Sequence, residues 1–195
     1  KIYPLIRMDI LYLIGISLPL AYLGTKFNLV GRLGAVALFF LGALALQKIG
    51  GYANVPLTIT LADANGFAKV QQFQFWHHWL WDGDFPIFPW VGFAFLGGVI
   101  SSLRWEHPPE NYRNFFPKRI GLIGLGVLLV GVGVWSVWPG PLLVRENFSE
   151  MFYPPTLGYL LTASGLIITL FFLTDRLSGN PPLVLLSTYG KSSML

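Results

Sequence analysis

The residues best suited to chemistry lie together in WHHWLWDGDFPIFPW, Trp76 to Trp90, where two adjacent histidines and two aspartates sit among four tryptophans. Imidazole titrates near working pH, and a neighbouring carboxylate fixes its tautomer and orientation. His78, or in second place His77, therefore has the makings of a general base or proton shuttle, with Asp82 or Asp84 as orienter. Two other readings of the same residues stay open. The tryptophans and histidines together match the aromatic belt at a membrane surface, where histidine makes ordinary hydrogen bonds. A single histidine could also be the axial ligand of a chlorophyll or haem. A metal site is disfavoured. Adjacent residues point about 100° apart on a helix and to opposite faces of a strand, so the pair cannot readily share one ion. The zinc spacing of two histidines one helical turn apart with a nearby carboxylate is absent.

Other charged residues stand near apolar runs. Arg7 and Asp9, followed by Tyr12, sit at the mouth of the first run, where ionisable groups are costly and serve as anchors, internal partners or functional groups. Arg145, Glu146 and Glu150 read as a solvated loop or as contacts for a polar acceptor, and Lys191 as a snorkelling lysine or a phosphate contact. No nucleotide-binding loop, dinucleotide fingerprint, nucleophile elbow or calcium loop is present. The absence of cysteine excludes disulfides, thiolate catalysis and iron–sulfur ligation.

The elements that must position these residues are those of a membrane protein. Hydrophobic residues make up 54% of the 195 positions and charged residues 11%, and mean hydropathy is +0.60; soluble domains carry roughly 25% charge. Crossing a hydrocarbon core of about 30 Å takes about 20 mostly apolar residues. Five windows approach this: Met8 to Leu23, Leu29 to Leu46, Pro86 to Leu103, Ile120 to Trp138 and Thr156 to Thr174. A segment from Pro182 to Leu195 reads as the start of a sixth. Runs that are apolar on every face suit lipid-embedded helices. The expected fold is thus all-α, a polytopic integral membrane bundle of five full spans plus the start of another, forming one transmembrane domain over residues 1–195. The chain begins on Lys1 and stops at GKSSML while an apolar run is being extended, and it reads as part of a longer protein.

The connection 47–85 is too long for a simple turn and is the largest expected extramembrane segment. It holds VPLTITL, a short alternating β-like run, ahead of the aromatic stretch. Basic residues of short loops set orientation, and the compact basic loop 104–119 places that face in the cytoplasm. The net charge of +4 then reflects topology rather than a nucleic-acid partner. Glycine recurs at three- and four-residue spacing in GRLGAVALFFLGALAL, VGFAFLGGVI and GLIGLGVLLVGVGVW. Such spacing lets helices approach closely in lipid, here chiefly within the chain, with docking of a second copy or another membrane subunit as the alternative.

Three stretches resemble bacterial membrane proteins related to heparan-α-glucosaminide N-acetyltransferase. FPIFPWVGFAFLGGVIS, Phe85 to Ser101, looks like their aromatic-proline entrance and glycine-rich helix. MFYPPTLGYLLTASGLIITLFFLTDRL, Met151 to Leu177, resembles their Tyr-Pro-Pro helix, and LLSTYGKSSML, Leu185 to Leu195, the opening of a late helix. The three occur in order and cover roughly half of the chain.

The resemblance implies a bacterial inner-membrane acyltransferase, moving an acyl group from acyl-CoA as co-substrate to a hydroxyl or amine of a sugar or other acceptor. The phosphates of CoA would fall to the basic loop through Arg113, Lys118 and Arg119, and proton transfer to His78 or His77 with Asp82 or Asp84. The family's catalytic histidine lies in an earlier helical region that matches no part of this sequence, so its role does not transfer to the histidine pair. The alternative from a different class is a catalytically inactive relative kept as a structural subunit of a larger membrane complex, a pigment site included.

Overall fold

The computed structural model describes residues 10–50, 78–82, 85–105, 116–138, 143–145, 148–150 and 155–177. In chain order these form α1 (Ile10–Gly24), α2 (Leu29–Gly50), a π-helical turn (His78–Asp82), α3 (Ile87–Trp105), α4 (Lys118–Val137), the strands β1 (Leu143–Arg145) and β2 (Phe148–Glu150), and α5 (Leu157–Leu177). Among the described residues, four helices are long and apolar enough to cross a membrane: α2 over Leu29–Ile49, α3, α4 and α5. The first expected span appears as a helix of 15 described residues, which rises only about 22 Å. The run from Pro182 and the β-like VPLTITL lie outside the described residues. The strands were not anticipated. They pair antiparallel, Val144 opposite Ser149, inside the stretch read as a solvated loop.

The chain divides into two compact units, residues 1–99 with 139–157, and residues 100–138 with 158–195. In unit 1, α1 and α2 form a hairpin whose turn is closed by the sequence GTKFN. Asn28 caps α2, its Oδ1 accepting from the Gly31 N–H at 2.8 Å, which satisfies one of the first-turn amides. Arg32 turns back from the first turn of α2 and donates through Nε to the Gly24 carbonyl at 3.2 Å and through Nη2 to the Thr25 carbonyl at 2.8 Å. Carbonyls left over at the end of α1 thereby gain a cationic donor. Arg32 is only 9% exposed.

The core of unit 1 is Leu13, Val91 and Phe95, flanked by partly buried side chains that include Phe39, Trp79 and Trp90. Rings fill the notches left by glycine. Phe95 covers Gly24, Phe88 covers Gly42 and Phe40 covers Gly92. Phe39 in turn lies 4.8 Å from the ring of Phe88 and 5.6 Å from that of Phe95, measured between centroids.

Unit 2 is built on the antiparallel pair α4–α5. Along α4, Gly121, Gly124, Gly131 and Trp135 meet Phe172, Thr169, Thr162 and Gly158 of α5, with Gly165 of α5 against Leu128. Successive contacts are three or four residues apart on both helices, so one face of each is continuously engaged. At Gly131 and Gly165 the neighbour is the main chain of the other helix, the close approach that small residues permit in lipid. The glycine spacing in α4 thus serves packing within the chain, while Gly126 and Gly133 on its other side have open space around them.

Candidate functional site

FPIFPW forms the approach to α3, and proline chemistry explains its shape. Phe88 precedes Pro89, a position driven from helical to extended geometry by the proline ring, and it has φ −94° and ψ 124° inside the helical stretch. The Phe88–Pro89 peptide is cis. Pro86 and Pro89 are both fully buried. The two prolines thus give α3 an irregular approach.

Immediately before it, residues 78–82 wind into a single π-helical turn, a form found mostly as isolated turns and frequently at functional sites. His78 is the first residue of the turn and Asp82 the last. Of the candidate site residues, these two are brought onto one short element. His77 and Asp84, like Arg7, Asp9, Arg113, Glu146 and Lys191, lie outside the described residues.

The turn is fastened by Trp79. Trp79 is half-buried against the core of unit 1, and its ring lies 6.5 Å from that of Tyr12 in α1. Phe85 and Trp90 follow at 6.1 Å, and Trp90 and Phe93 at 5.9 Å. Trp79 thereby joins the turn to α1 and α3. Tyr12, singled out with the charges at the mouth of the first span, reaches the same cluster. A local reading of the sequence had no signal for that contact, because 67 residues separate Tyr12 from Trp79.

The expected phosphate-binding residues Lys118 and Arg119 lie exposed in the first turn of α4. The residues that fix this turn were missed in the sequence. Phe116, 1% exposed, donates its N–H to Asp175 Oδ2 at 3.0 Å, and its carbonyl accepts from Arg176 Nη2 at 3.0 Å. Two consecutive side chains at the end of α5 thus take both main-chain polar groups of one residue just ahead of Pro117. The Arg176 guanidinium also lies 5.2 Å from the centre of the Phe172 ring, close enough for a cation–π contact. At the opposite end of the pair, Trp135 and Tyr159 meet edge to face at 5.9 Å.

Comparison of the chain with family models gives no match, and comparisons with curated proteins and with solved structures give none either.

Proposed function

We propose that the chain is a polytopic integral membrane protein that carries out acyl transfer, from acyl-CoA to a hydroxyl or amine of a sugar or other polar acceptor. Its spans would be α2 to α5, with α1 as the end of another, in a bacterial inner membrane with the start of α4 facing the cytoplasm. One observation carries the proposal. The π-helical turn that begins at His78 and ends at Asp82 stands two residues ahead of FPIFPW in the sequence, the proline-shaped stretch that carries part of the resemblance to the acetyltransferase relatives. Chemically suggestive residues and family-like residues are thus near neighbours in the sequence, and Trp79 of the one packs on the same core as Trp90 of the other.

In this reading His78 takes the proton from the attacking acceptor and Asp82 orients it, an arrangement that contributes about 10²- to 10⁴-fold to rate. Among the tryptophans around the turn, Trp79, Trp81 and Trp90 offer faces on which a sugar ring can stack. The test is incubation of the full-length protein in lipid nanodiscs with labelled acetyl-CoA and glycan or lipid acceptors. Labelled product that disappears in His78→Ala is expected. Equal labelling with and without the protein would leave a non-catalytic membrane subunit as the better reading.

A further inference from the structure

The described residues of unit 2 distribute charge unevenly. Lys118, Arg119 and Arg176 gather around Phe116 and Pro117 at one end of the α4–α5 pair. The other end, formed by Trp135, Trp138 and Tyr159, has no charged residue among the described ones. The one acidic side chain among the described residues of unit 2, Asp175, is turned inward, 5% exposed and engaged with the Phe116 N–H. What this end presents outward is therefore positive. Lys118 and Arg119 also stand in the first turn of α4, where the helix dipole disfavours cations, and the N-cap is Pro117, whose side chain makes no capping hydrogen bond. Among the described residues no acidic side chain faces outward beside them.

Directly beneath the cations the surface becomes apolar. Leu122, Ile123 and Leu125 on α4 and Leu173 and Leu177 on α5 are all exposed, Leu122 at 70%. A phosphate would meet the cations, and a hydrocarbon chain attached to it would meet the leucines within the first two turns. From this juxtaposition we infer that the cationic end of the α4–α5 pair binds the headgroup phosphate of an anionic phospholipid, with the acyl chains lying along the exposed leucines. The inference stands whether or not the protein transfers acyl groups. The phosphates of free CoA share the headgroup's chemistry but lack two acyl chains to cover this apolar surface, which is why the lipid is the favoured occupant.

The experiment compares lipids retained by the purified full-length chain from mixed phosphatidylcholine and phosphatidylglycerol micelles. Enrichment of phosphatidylglycerol is expected on the wild-type protein, weakened by salt. A basic residue at an anionic surface supplies about a fivefold preference, so Lys118→Gln with Arg119→Gln should lose most of the enrichment, while Lys118→Arg with Arg119→Lys keeps it. Lys48→Gln, which removes an exposed cation from the last turn of α2, should retain the wild-type ratio. Excess free CoA should leave the bound phosphatidylglycerol in place. The inference is overturned if retention shows no preference between the two lipids, if Lys48→Gln costs as much as the double variant, or if CoA displaces the lipid. Should the double glutamine variant fail to fold, the salt titration of the wild type and the charge-preserving pair still decide.

Discussion

In unit 1 three glycines receive aromatic rings, Phe95 at Gly24, Phe88 at Gly42 and Phe40 at Gly92; in unit 2 Gly121 receives that of Phe172, but Gly131 and Gly165 receive the main chain of the opposite helix. The two arrangements differ in how they yield. A ring edge can swing about χ1 and χ2 when a methyl group is added beside it; a helix backbone can move only by taking the whole helix with it. Gly24, Gly42 and Gly92 in unit 1, like Gly121 in unit 2, are thus notches for a side chain, whereas Gly131 and Gly165 are a condition for helix contact. The threonines opposite the glycines of α4 point the same way. The hydroxyl oxygens of Thr162 and Thr169 are buried without a conventional hydrogen-bond partner and lie against Gly131 and Gly124, where a Cα–H group can face them.

The contrast sets an order of expected effects, each read as a shift in unfolding free energy of the purified protein in detergent. Gly131→Leu or Gly165→Leu should cost most, about 3 kcal/mol, because Thr162 and Leu128 main chain lies where the new side chain must go; a loss no greater than at Gly42 would break the distinction. Asp175→Ala comes next, at about 2 kcal/mol, since it leaves the buried Phe116 N–H without its acceptor. Asp175→Asn keeps an acceptor oxygen and should recover part of that loss. Gly42→Ala and Gly92→Ala in unit 1 should cost about 1 kcal/mol, as Phe88 and Phe40 shift aside. Gly126→Ala and Gly133→Ala, with open space around both, should be neutral or stabilising by up to about 1 kcal/mol through helix propensity.

Both units also close a helix end with a charged side chain on main-chain atoms. Arg32 does so on the carbonyls of Gly24 and Thr25 within one hairpin, and Asp175 with Arg176 does so on Phe116 across 59 and 60 residues. The local case had a visible cue, a basic residue in the first turn after GTKFN. The distant case had none. In the sequence DR at 175–176 reads as the polar end of an apolar run, and only the antiparallel pairing of α4 with α5 brings it to Phe116.

Helix positions were legible for a physical reason. A segment surrounded by lipid must be apolar on every side for its full length, so the runs Pro86 to Leu103 and Thr156 to Thr174 match α3 and α5 within a few residues. The end of α2 was read four residues short, at Leu46 rather than Gly50. Gln47 and Lys48 are polar but helix-compatible, and a lysine in the last turn suits the dipole. The candidate site was legible in composition only. WHHWLWDGD announces histidine beside carboxylate, yet nothing in its spacing specifies a π-helical turn, nor that Trp79 would pack against Tyr12 rather than face outward.

The central functional claim is that His78 moves a proton during acyl transfer. The most direct measurement is the rate of labelled acyl transfer by the full-length protein and by His78→Ala, each shown by its unfolding transition to be folded. A loss of at least about 100-fold with the fold intact is expected. Transfer by His78→Ala at the wild-type rate would contradict the claim.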